Sequence, residues 1–193
     1  MKLFIKYMVS VRCKMVVKSI LEELNIPYEK IELGEVELKS EILRPDLVKF
    51  GLTLQKSGLE LIEDRKSILV EKIKNTIVEM IHYKDEMGGT KNSYYISKKL
   101  NHNYNYLANL FSEVTGSSIA HYIIAHKIEK AKELLVYYEL PLSEIAWKLH
   151  YSSAAHLSNQ FKKITGITPS SFKKLEEKKL IPLEYVGMKQ FVA

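Results

Sequence analysis

Planar amides and short polar side chains are concentrated in two windows of this 193-residue sequence, about fifty residues apart. The first holds Tyr104, Asn105, Ala108 and Asn109; the second holds Ala155, His156, Ser158, Asn159 and Gln160. A carboxamide presents a donor and an acceptor in one plane, so Asn and Gln can make paired hydrogen bonds to a flat edge such as that of adenine. Two lysine pairs follow the second window, Lys162-Lys163 and Lys173-Lys174, and suit phosphate contacts that set affinity rather than sequence choice. The bland reading of each lysine is a solvated helix face.

Sulfur offers a third chemistry. In the stretch MVSVRCK, Cys13 has only Met8 as a sulfur neighbour and Ser10 is a poor soft-metal ligand, whereas two thiolates are needed to grip a soft ion. Cys13 is the single cysteine, so no internal disulfide can form. An inert cysteine at a helix start is preferred to a redox-active one activated by that helix end and Arg12. His121 and His126 are five apart and face different ways on a helix, so they do not pair as ligands. No cofactor is expected.

Charge divides the chain. Residues 1 to 65 carry 11 Lys/Arg against 11 Asp/Glu, and residues 66 to 193 carry 18 against 12, so the whole excess of +6 lies in the second part. A basic half suggests a polyanionic partner, with nucleic acid ahead of a membrane surface. No apolar run approaches the roughly 20 residues that span a bilayer. Lys6, Arg12 and Lys14 also interrupt the only stretch resembling a secretion signal, which points to a cytoplasmic protein without a membrane partner.

The elements that must position these groups follow from periodicity. Lys2 to Met8 alternates as a strand, and Val16, Val17, Ile20, Leu21 and Leu24 recur as a helix. IELGEVEL reads as a hairpin with Gly34 first in a two-residue type II′ loop. A second helix follows, with Leu43, Leu47, Phe50 and Leu54 as its stripe, and then a short strand at Leu59-Glu60-Leu61. The order βαββαβ predicts an α+β, ferredoxin-like domain over residues 1–65. From Lys66 the pattern is helical only, with Ile68, Ile73, Ile77, Met80 and Ile81 on a long first helix and a loop at MGGTKN, Met87 to Asn92.

One phrase is written twice in this helical part: ISKKL, NHNYNY, LANLFSEVTG, and then IAWKL, HYSSAAH, LSNQFKKITG. In each, a short helix ends at Leu100 or Leu149, and Asn101 or His150 stands where a left-handed residue would close it. Asn103, and Ser152 or Ser153, can cap the helix that follows. Two helices joined by so short a turn make a helix-turn-helix, whose second helix enters a DNA major groove; an ordinary helical hairpin is the plainer reading of one copy. Between the copies, Ser118 to Tyr138 contains no Gly or Pro and carries a stripe of Ile124, Ile128, Ala131, Leu135 and Tyr138. At 1.5 Å per residue that helix is roughly 31 Å long, close to the roughly 34 Å between successive major-groove faces.

The block 66–176, ending in IAWKLHYSSAAHLSNQFKKITGITPSSFKK, resembles the DNA-binding domain of AraC/XylS-type transcription regulators. The resemblance implies an all-α domain with two helix-turn-helix units joined by a long helix, a tail at 177–193, double-stranded DNA as partner, RNA polymerase as a further one, and no catalysis. It implies base reading by the two windows named above and phosphate contacts by Asn103, Ser153, Lys162, Lys163, Lys173 and Lys174. Tyr106 is expected in the core, Tyr104 outside it, and Trp147 in packing. Two departures matter: Asn101 and His150 replace a frequent Gly, and Arg12, Arg44 and Arg65 are the only arginines, all outside the domain.

MVSVRCKMVVKSILEEL, in turn, resembles the start of heavy-metal-associated domains, with Ser10 and Cys13 on the two metal-binding cysteines. A domain kept for dimerisation is as plausible from this sequence as a sensor. The rival readings are a Cu(I) or Zn(II) carrier whose helical half docks proteins, and an acylphosphatase-like enzyme, for which MVSVRCK lacks the glycine of an anion-binding loop.

Overall fold

The structure, a computed structural model, describes residues 1–83 and 91–187. The expected loop at Met87 to Asn92 lies mostly outside them, as does the end of the tail. The chain divides into two compact units, each built from two stretches: Met1–Thr76 with Ile96–Val114, and Ile77–Tyr95 with Thr115–Ala193.

In the first unit the order is β1 (Lys2–Lys6), α1 (Val11–Glu23), β2 (Tyr28–Glu32), β3 (Glu35–Leu38), α2 (Arg44–Lys56) and β4 (Glu60–Ile62). The strands form one sheet in the order β2-β3-β1-β4, every neighbouring pair antiparallel. Helix α1 starts where the Ser10 hydroxyl accepts the Cys13 N–H, and it turns Val17, Ile20 and Leu21 inward. Helix α2 has Pro45 and Asp46 at its start and Lys56 at its end, the arrangement the helix dipole favours, and it buries Phe50 and Leu54. Leu3, Ile5, Val36 and Leu38 meet them from the sheet to make one core.

Several boundaries shift from expectation. Tyr7 leaves the strand with φ 66°, and β4 begins at Glu60. Leu43 precedes α2 and is 73% exposed rather than part of its stripe. The hairpin loop is Leu33-Gly34, because Glu32 pairs with Glu35; the left-handed residue, Gly34 (φ 75°), is second in the loop, which excludes a type II′ turn.

Helix α3 (Arg65–Val78) opens on Asp64, whose carboxylate accepts the Ser67 N–H at 2.8 Å; that bond holds its carboxyl below the usual range. Asn75 of α3 is 7% exposed and presses against Gly34, where a Cβ would collide with its Nδ2. We therefore expect Gly34→Ala to destabilise the fold by about 2–4 kcal/mol, from a strained left-handed alanine and overpacking together. Gly58→Ala, at φ 73° but with open space around a Cβ, should cost only the backbone part, about 1–2 kcal/mol. Urea unfolding of both variants checks the difference.

The chain continues from α3 through a π-helical turn, Glu79–Tyr83, and then α4 (Asn92–Leu100) and α5 (Tyr104–Thr115). In the second unit, α6 (Ile119–Tyr137) is buried along most of its 19 residues. With α7 (Leu142–Lys148), α8 (Ala154–Thr165) and α9 (Pro169–Lys174) it encloses a core of Ile128, Ala131, Leu135, Ile145, Leu157, Phe161 and Phe172. Tyr138, expected in the α6 stripe, follows the last turn and is 61% exposed.

Candidate nucleic-acid interface

The repeated phrase folds to the same backbone twice. Helix α4 ends with Asn101 at φ 54° and the His102 N–H on the Ser97 carbonyl; α7 ends with His150 at φ 55° and the Tyr151 N–H on the Ala146 carbonyl. Each is a six-to-one bond around a left-handed residue, the Schellman closure, made here without glycine. The next helix is capped at once in both: Asn103 Oδ1 accepts the Asn105 N–H at 2.8 Å, and Ser153 Oγ accepts the His156 N–H at 3.1 Å. Ser152, the other candidate cap, instead bonds His156 Nδ1 at 3.0 Å.

The far ends match as well. Gly116 and Gly166 are left-handed (φ 66° and 79°). The hydroxyls of Thr115 and Thr165 accept the N–H of Ser117 and Ile167 on the other side of each glycine. Ser118 and Thr168 then cap α6 and α9. The recurring Thr-Gly is thus a hinge between consecutive helices, a role its chemistry alone could have suggested because Thr favours such turns.

Helix α5 buries Leu107, Leu110 and Phe111, and α8 buries Leu157 and Phe161. None of the predicted base-facing residues is buried. Asn105, Asn109, Ala155, His156 and Asn159 are exposed; Tyr104, Ala108, Ser158 and Gln160 are partly so. Lys162, Lys163, Lys173 and Lys174 are exposed on the last turns of α8 and α9. Two aromatics expected inside, Tyr106 and Trp147, are exposed. Tyr106 is 52% exposed, while Tyr104 is partly buried, which raises its hydroxyl's pKa. Trp147 is 69% exposed and packs no core.

One positioning contact escaped the sequence. Lys127 of α6 donates to the Leu149 carbonyl at 2.6 Å and lies over the Tyr151 ring, 5.3 Å from its centroid. Burial lowers the pKa of this ammonium and pushes Tyr151 up to about 12. The Tyr151 ring meets His156 edge-on at 5.2 Å, so α6 fixes both the turn and the side chain at the start of α8.

At the opposite end of the chain the sulfur candidates do not fit a metal. Met8 is fully buried in the core of the first unit. Cys13 Sγ and Ser10 Oγ face each other at 3.2 Å, and no three His, Cys, Asp or Glu cluster among the described residues. No helix among them is long and apolar enough to cross a membrane.

Residues 96–175 match the protein family described as helix-turn-helix domain. Over 159 residues the chain is 28% identical to the uncharacterized HTH-type transcriptional regulator YtdP of Bacillus subtilis, covering 79% of this chain and 19% of that protein. It is 31% identical over 100 residues to the Msm operon regulatory protein of Streptococcus mutans, covering 52% and 35%. Among solved structures it resembles the C-terminal domain of AraT, a response regulator from Geobacillus stearothermophilus, at 27% identity and a TM-score of 0.49, covering 62% of this chain and 92% of that one. The chain thus spans about a third or less of the length of either curated relative.

Proposed function

We propose that the protein is a sequence-specific DNA-binding transcription regulator of AraC/XylS type, acting by binding and without catalysis. The observation that carries this is the pair of helix-turn-helix units built on one plan, with the start of α5 and of α8 open to solvent. Helix α6, at 19 residues roughly 28 Å long, supports placing the two reading helices in successive major grooves. The caps use the oxygens of Asn103 and Ser153, leaving an amide NH2 and a hydroxyl proton to donate to phosphate, beside Lys162, Lys163, Lys173 and Lys174. His156 has Nδ1 held by Ser152, so Nε2 is the atom left to meet a base.

The domain limits 1–65, 66–176 and 177–193 and a cytoplasmic location belong to the same proposal. A ferredoxin-like, heavy-metal-associated-like origin for the first domain is supported by its element order and its antiparallel strand order. RNA polymerase and a second copy of the chain are the protein partners. For the latter, Val11 and Met15 on α1 and Val48 and Leu52 on α2 are exposed apolar side chains.

Selection from random duplexes tests the reading. With Asn and Gln on the reading helices and no arginine there, the enriched sites should carry two boxes about one helical turn apart, richer in A·T than in G·C. Sites rich in G·C under both helices would refute the base assignment; no enrichment at all would refute sequence-specific binding.

A further inference from the structure

Beyond α9 the chain returns across the second unit and is held there. The Ile181 N–H donates to Glu129 Oε1 at 2.7 Å, Val186 is 2% exposed, and Gly187 sits so close to Tyr122 that a Cβ would lie 2.7 Å from its ring. This strap, with α6 and the α8–α9 corner, lines a partly open cavity of about 210 Å³. Ala125, Ile128, Ile164, Ile167, Phe172 and Val186 give it an apolar lining.

Four charged residues line it: Glu177 and Lys179 are exposed, whereas Glu129 at 6% exposure and Lys132 at 8% are buried in its wall. The buried two are not equally satisfied. Glu129 is engaged at both oxygens, by the strap's Ile181 N–H and by Lys132 at 2.9 Å. The Lys132 ammonium has three donors and one hydrogen-bond acceptor, that same Glu129, with the Phe172 ring centroid 5.8 Å away. A buried donor without an acceptor is costly, so the ammonium is a ready anchor for any acceptor that enters.

We propose that this cavity is a binding site for a small, mostly apolar molecule about one ring in size that carries a single neutral hydrogen-bond acceptor, such as a ketone, which Lys132 meets. The volume exceeds the roughly 150 Å³ in which a dry protein cavity takes up benzene. The acceptor is neutral because Glu129 already balances the ammonium, and a carboxylate brought into the wall would face it. The site lies wholly within the second unit and needs no DNA to be occupied.

Acetophenone and ethylbenzene, alike in shape and differing in one carbonyl, are the probes, added to the full chain while backbone amide shifts are followed by NMR. Acetophenone should bind at least tenfold more tightly than ethylbenzene, moving amides of residues 125–132, 164–172 and 179–187. Ala125→Leu, which fills the space, should weaken it at least tenfold. No binding at 10 mM, shifts elsewhere in the chain, or equal affinity for the two probes would overturn the proposal. Should Ala125→Leu not fold, the wild-type shift map and the probe ratio decide alone.

Discussion

Lowering the pH from 7.5 to 5.5 is expected to remove about 2–3 kcal/mol of folding stability, through two histidines that the fold keeps neutral. His126 is fully buried, its Nδ1 lies 3.2 Å from His82 Nε2 on the π-helical turn, and its own Nε2 has no protein partner. Tyr122 covers the other face at 4.5 Å between rings. Burial, with the nearby Lys130 charge, holds His82 down to about 3; burial and the neighbouring His82 hold His126 well below its ordinary value. In the unfolded chain both titrate near 6.5. The unfolded state therefore binds more protons below that pH. The contribution is complete above about 6.5 and is lost as pH falls, for His82 down to about 3. Glu32 and Asp64, whose acidity is strengthened in the fold, enter only near the ordinary carboxylate range and below. Urea unfolding at the two pH values measures the loss, and the double variant His82→Gln/His126→Leu should flatten it. A loss unchanged in that variant would place its origin in other groups.

Replacing both Lys162 and Lys163 with alanine is expected to weaken DNA binding about 60-fold at 0.1 M salt, alike for all sequences. Each phosphate contact contributes a slope of about 0.9 to the dependence of log affinity on log salt, so losing two lowers the slope by about 1.8. At 0.3 M salt the same variant should be only about ninefold weaker. Titrations of a selected site and an unrelated duplex at both salts check this; a loss confined to the selected site would assign the lysines to base reading. Asn159→Ala should show the complementary pattern, about 1–3 kcal/mol lost on the selected site with the salt slope intact.

The helices and both unusual turn closures were legible because they follow from local rules. Three- and four-residue spacing marks the buried face, and Asn or His tolerates a left-handed φ. Structure and expectation part at side chains that are apolar or aromatic yet face solvent, such as Leu43, Tyr106, Tyr138 and Trp147. Tyr106, one residue before the buried Leu107, is turned about 100° away from it, whereas Tyr104, three residues before, lies on its side of the helix and is partly exposed. Trp147 is likewise one step past the buried pair Ile145 and Ala146. Apolar surface is common on folded proteins, so neither residue type settled the matter. Gly34 is a turn residue as its type suggests, but it stands second rather than first in the loop, because register is set by which residues pair across the strands. The His82–His126 pair and the Lys127 contact join residues 44 and 22 apart, and no local pattern could announce them.

The exchange of segments between the two units bears on the order in which the chain can settle during synthesis. Residues 1–76 share their unit with the later segment 96–114, which brings the Glu113 that pairs with Lys66 at 2.7 Å. Residues 77–95 must in turn wait for the chain after Val114. The core of Leu3, Ile5, Val36, Leu38, Phe50 and Leu54 draws only on residues before 65 and can close as soon as β4 is made, whereas the Lys66–Glu113 pair must wait for α5.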